Sequence, residues 1–111
     1  MPDAPKEAGR TVVVGERELA IGFRLIGLKD VVEVTPENSV TEFERAMSGG
    51  YTLVIATQSI RALLSESQRA AADASLRPLV VFVPTPSGEY EVESVEALAK
   101  RVLGVTLSAS S

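Results

Sequence analysis

Val12-Val13-Val14, closed by Gly15 and followed at once by apolar residues at helical spacing, constrains the fold more than any other stretch of the chain. Successive strand residues point to opposite faces, so a run with no polar member has no wet face and must be covered on both sides. That is the strand of a parallel sheet between helix layers. The helical stretch behind it, Glu16 to Leu28, carries two apolar stripes, Leu19-Phe23-Ile26 and Ile21-Leu25-Leu28. One stripe packs on the sheet; the other calls for a neighbouring helix, a partner or exposure. Gly22 costs about 1 kcal/mol against alanine in mid-helix, and either marks a close backbone approach or is simply tolerated.

The pattern repeats along the chain. Val31-Val32-Glu33-Val34 reads as a second strand, with Glu33 marking an edge. Thr35-Pro36-Glu37 reads as a helix start, Val40, Phe43 and Met47 as the core face of that helix, and Gly49-Gly50 as its end. Tyr51 to Ala56 reads as a central third strand. Thr57-Gln58-Ser59 then opens one long helix, with Ile60, Leu63 and Leu64 as its ridge, fading into Ala70-Ala71-Ala72 and Ala74. Arg77-Pro78 breaks it before the fourth strand, Leu79 to Val83. Pro84-Thr85-Pro86-Ser87-Gly88 is the strongest breaker cluster. After it, Val92, Val95, Leu98, Ala99, Val102 and Leu103 form one stripe opposite Glu93, Glu96, Lys100 and Arg101.

Strands alternating with helices through short loops give a small doubly wound α/β domain. The expected sheet is four-stranded and parallel, ordered 2-1-3-4, with a C-terminal amphipathic helix. The expected divisions are a floppy tail at 1–10, the α/β body at 11–91, the C-terminal helix at 92–107 and a disordered tail at 108–111.

Such a domain keeps its ligand at the carboxyl ends of its strands, and there the sequence offers little chemistry. Gly22 and Gly27 lie too far from Gly15 for the glycine fingerprint of a dinucleotide site. A receiver-like phosphoacceptor site needs paired acids after the first strand, an aspartate after the third and a lysine after the last. The chain supplies Glu16 and Glu18, then Thr57, then Thr85. The acceptor is missing, and Glu16 and Glu18 read as first-turn acids at a helix N-terminus. Histidine and cysteine are absent, which removes the commonest general base and the thiolate nucleophile. Ser59, Ser65, Ser67 and Ser87 have no supporting constellation in the sequence. No cofactor, metal or catalytic residue is therefore expected. A net charge of −4 opposes nucleic acid and anionic membrane, and no apolar run reaches the ~18 residues of a membrane span.

Val13-Val14-Gly15-Glu16-Arg17, running into Gly22-Phe23-Arg24-Leu25-Ile26-Gly27, resembles the opening of the F subunit of the archaeal and bacterial V-type (A-type) ATP synthases. There a short strand and a Gly-Asp or similar corner lead into Gly-Phe-Arg-Leu-x-Gly. The resemblance runs from Thr11 to Leu107 and includes the ending Lys100-Arg101-Val102-Leu103-Gly104-Val105. The chain departs from the pattern in its longer N-terminal tail, in Glu16 at the corner and in its small-residue tail.

The resemblance implies a cytoplasmic, non-catalytic part of the central rotor stalk. Its partners would be the coiled-coil D subunit, the head subunits and the membrane-proximal part of the stalk, and its role would be in coupling proton or sodium transport to ATP chemistry. Within that reading two sets of contact residues are expected. Val92 to Leu103 would dock on its own sheet or extend along the stalk, hinged at Thr85 to Glu91, because apolar burial and the entropy of ordering the helix are of similar size. Arg17, Phe23 and Arg24 would meet acids on the coiled coil; the alternative is that Phe23 is core and the arginines face solvent. The competing functions are a degenerate receiver-like signalling module and a small-molecule-binding α/β enzyme.

Overall fold

All four apolar runs are strands of one parallel sheet in the order β2-β1-β3-β4, as the alternation of strand and helix predicts. The computed structural model describes residues 10–85, 97 and 99–103. Along the chain come β1 (Thr11–Gly15), α1 (Arg17–Leu25), β2 (Val31–Glu33), α2 (Ser39–Met47) and β3 (Leu53–Thr57). They are followed by α3 (Gln58–Leu63), α4 (Glu66–Ala74) and β4 (Leu79–Val83). Residues 99–103 are helical and are called α5 here. Of the hinge expected at Thr85 to Glu91, all but Thr85 lies outside the described residues, as do Val92, Val95, Leu98, residues 1–9 and residues 104–111.

In register, Val13 pairs with Val31 on one side and with Ile55 on the other, and Ile55 pairs with Val81. Alternation then sorts the core into two layers. Val12, Val14, Val54 and Ala56 face Phe43, Ala46, Ile60, Leu64 and Ala72 from α2, α3 and α4. Val13, Leu53, Ile55 and Val83 face Leu19 and Phe23 from α1 and Ala99 from α5. The valine run has no polar member because both of its faces are dry.

Three local readings are corrected by the structure. Helix α2 begins at Ser39, because Asn38 Oδ1 accepts the Thr35 N–H at 2.9 Å and folds 36–38 into a turn, leaving Pro36 outside the helix. The long helix after β3 is two helices. Ser65 and Gln68 form a reciprocal capping box that starts α4 afresh, and a cap of this kind takes two of the orphan N–H groups of the first turn. That break turns Leu64 inward and leaves Leu63 53% exposed, so Leu63 is not part of the ridge. Of the second α1 stripe, Ile21 and Leu28 are half-buried but Leu25 is exposed.

Helix α1 ends where the glycine is. Gly27 lies at φ 101°, with its N–H on the Arg24 carbonyl at 3.0 Å and the Leu28 N–H on the Phe23 carbonyl at 3.1 Å. This is a Schellman cap, and Leu28 and Phe23 pack in the same apolar layer.

Candidate functional site

The carboxyl ends of β1, β3 and β4 are where this architecture places a ligand, and here they are closed by the chain's own side chains. Gly15 ends β1 against α1 and β3. A Cβ added there would sit 2.7 Å from Leu19 Cδ2 and 3.3 Å from Thr57 Cγ2, so a side chain at this corner would have to displace Leu19. Glu16, next in sequence, occupies the N-cap position of α1 without capping it. Its carboxylate instead reaches across to α3, where the Ser59 hydroxyl donates to Oε2. Ser59 has one hydroxyl proton, so its 3.0 Å hydrogen bond with the fully buried Thr57 is donated by Thr57. The Ser59 N–H donates to Thr85 Oγ1 at 2.8 Å, which ties the first residues after β4 to the start of α3. Glu16 Oε1 is buried and has no hydrogen-bond partner among the described residues.

The reading of Glu16 as a first-turn helix acid is thereby corrected, since Glu18 alone fills that role. Ser59 likewise proves to have supporting residues, contrary to the sequence reading. No periodicity in the sequence brings Glu16, Thr57, Ser59 and Thr85 together; only the order of the strands does. The cluster has no base for its hydroxyls beyond the single Glu16 carboxylate. Where a receiver would need an aspartate, position 57 holds a buried threonine. No group of three or more potential metal-binding side chains occurs among the described residues.

A second region is the layer shared by α1 and α5. Phe23 is 0% exposed, and so is Ala99, which packs in the same cluster; Val102 and Leu103 lie partly buried beside them. Phe23 is therefore core. Arg17 is exposed at the first residue of α1. Arg24 is exposed too, but its guanidinium is engaged: it donates to the Val31 carbonyl at 3.3 Å and lies 4.0 Å from Glu33 Oε1. Phe23 is thus inside, while Arg17 and Arg24, seven residues apart, lie exposed on one face of α1. A shallow cleft of about 170 Å³ opens elsewhere, between β2 and the end of α2, lined by Val12, Val32, Glu42, Arg45, Ala46, Gly49 and Tyr51. Among the described residues no helix is long and apolar enough to cross a membrane.

Comparison with known proteins matches residues 11–102 to the family model described as ATP synthase (F/14-kDa) subunit. The chain is 30% identical over 96 residues to the F subunit of the A-type ATP synthase of Thermoplasma volcanium, covering 86% of this chain and 91% of that one. It is 32% identical over 99 residues to the A-type ATP synthase F subunit of Methanothermobacter thermautotrophicus, covering 86% and 92%. With the corresponding A-type F subunit of Methanocaldococcus jannaschii it shares 31% identity over 98 residues, covering 86% and 95%. No solved structure matches the chain significantly.

Proposed function

The chain belongs to the family of ATP synthase (F/14-kDa) subunits, and from that membership we propose that it is a non-catalytic component of the central rotor stalk of a V-type or A-type ATP synthase. In this reading it binds the coiled-coil D subunit of the stalk. It helps couple proton or sodium transport to the synthesis or hydrolysis of ATP in the head, and it sits on the cytoplasmic side through the complex.

The observation that carries the non-catalytic part is the closed strand-end corner. One oxygen of the Glu16 carboxylate, Oε2, is taken by the Ser59 hydroxyl, the other is buried, and a Cβ at Gly15 would press on Leu19, so the carboxylate is held inside the corner. A rotor part needs stiffness and a surface for its partner rather than a reactive centre.

The α1 and α5 layer supports the choice of partner face. Helix α5 is seated through the small side chain of Ala99, with Val102 and Leu103 only half-buried, so its described turn covers little apolar area. Such a helix is exchangeable: it sits on its own sheet in the free chain and leaves for the stalk on assembly, pivoting within 85–91. Arg17 and Arg24 then face carboxylates of the coiled coil, and Phe23 joins the interface once α5 has left it uncovered.

The test is co-expression with the cognate D subunit and size-exclusion chromatography with light scattering. A stoichiometric one-to-one complex is expected. Two separate monomer peaks at micromolar concentration contradict the proposal.

A further inference from the structure

The family match begins at residue 11, and the residue just ahead of it is firmly placed. The Arg10 carbonyl accepts the Thr52 N–H at 3.0 Å, the Leu53 N–H at 3.3 Å and the Thr52 hydroxyl at 2.8 Å. Its guanidinium lies over the Tyr51 ring, 4.5 Å from the centroid. Gly49 holds that ring from another side, since a Cβ added there would sit 2.9 Å from Tyr51 Cε2. Residues 1–9 therefore join the domain beside a fixed aromatic side chain.

The same ring is a wall of the cleft between β2 and the end of α2. Val12, Val32 and Ala46 give the cleft an apolar floor, and Glu42 and Arg45 supply its charge. Those two pair at 2.9 Å, but the Arg45 side chain stays 71% exposed, so its guanidinium has donors to spare. The segment ahead of Arg10 reads Met1-Pro2-Asp3-Ala4-Pro5-Lys6-Glu7-Ala8-Gly9. It offers small apolar side chains, two prolines and one adjacent pair of opposite charges.

We infer that this cleft is the docking site of the chain's own N-terminal segment, with Pro5 against the apolar floor, Lys6 at Glu42 and Glu7 at Arg45. Lys6 lies four residues before Arg10, a reach of about 13 Å, and Gly9 is the residue type that admits the reversal needed to enter beside Tyr51. A segment carrying proline suits a groove with an aromatic wall, and proline has less freedom to lose on docking. The entropy of ordering restricts the contact to the few residues nearest Arg10. Tethering gives the segment an effective concentration on the order of millimolar, which the segment of a second copy does not match in micromolar solution. The contact belongs to an extension outside the family-matched region, so it stands or falls independently of the stalk reading.

The experiment places a nitroxide on Ala4→Cys, in a full chain that otherwise has no cysteine, and reads amide signals against the reduced label. Leu79 lies level with Thr11 two strands across, and Val32 level with Val14 one strand across, so both are about 10–11 Å from the start of β1. A docked segment should erase the signals of Val32 and Ala46 and spare Leu79. Equal loss at Val32 and Leu79, or no loss at Val32, overturns the inference. Lys6→Glu sets like charges together without touching the folded body and should restore signal at Val32; undiminished loss there overturns the charge pairing and the docking built on it. Spin-labelled chain mixed with isotope-labelled wild type should leave Val32 intact. Loss at Val32 in that mixture assigns the cleft to a second copy's segment and also overturns the inference.

Discussion

Arg24, at the end of α1, donates a hydrogen bond to the main-chain carbonyl of Val31 on edge strand β2 at 3.3 Å. The sequence suggests a partner contact for this arginine, and the structure adds a second role, in which it covers an outward carbonyl of an edge strand and lies near the Glu33 carboxylate. Both groups are well exposed, so the pair contributes at most about 1 kcal/mol. Arg24→Glu should therefore cost under about 1 kcal/mol in chemical denaturation while lowering affinity for the D subunit more than twofold. Unchanged affinity removes the arginine from the interface.

Ala99 is fully enclosed by the layer that holds Phe23. Ala99→Leu overpacks that seat by three carbons, a change that costs about 1–3 kcal/mol when the surroundings do not yield. Its expected result is faster amide exchange across 99–103 with β1 and β3 unaffected. A uniform loss of protection across the sheet would mean that α5 is an integral part of the core.

Ser59 links three segments, through Glu16, Thr57 and Thr85. Ser59→Ala leaves the Glu16 carboxylate without its donor, and a part-buried polar group stripped of its partner costs about 1–3 kcal/mol. Thr85→Val leaves the Ser59 N–H without its acceptor and costs a similar amount. Because both changes act on one connected cluster, the double variant should be less destabilised than the sum of the two. Strict additivity in urea denaturation would show that the hydroxyl and amide contacts of Ser59 act independently.

Gly27 is held at φ 101° with open space around its Cα. Gly27→Ala should cost about 1–2 kcal/mol through backbone strain alone. Gly15→Ala is a different case, meeting Leu19 at 2.7 Å, and should cost about 1–3 kcal/mol by overpacking. Relieving the second with Leu19→Ala would leave a cavity penalty in its place, whereas no neighbour substitution rescues the first. Urea denaturation of the single and double variants separates the two cases.

Much of the fold is legible in the sequence, because it depends on one-dimensional patterns: the dry valine runs fix the parallel sheet, and Glu33 marks the β2 edge. Boundaries that depend on side-chain hydrogen bonds are harder to read. Asn38 competes with Thr35-Pro36 for the start of α2, and Ser65 with Gln68 cuts one apparent helix into two. The strand-end cluster is less legible still, since Glu16 and Ser59 are 43 residues apart and meet only because β1 and β3 are neighbours. Phe23 shows the limit of periodicity. Its stripe identifies it as apolar and inward-facing, but only the packed cluster it shares with Leu19, Ile55 and Ala99 shows that nothing of it reaches solvent.

The proposal that α5 exchanges its seat is tested most directly by amide hydrogen exchange at residues 99–103, measured on the free chain and on its complex with the D subunit. Protection of these amides in the free chain, lost or redistributed in the complex while the β3 amides at 53–57 stay unchanged, is the expected result. Equal protection of 99–103 in both states, with Phe23 still buried, would contradict it.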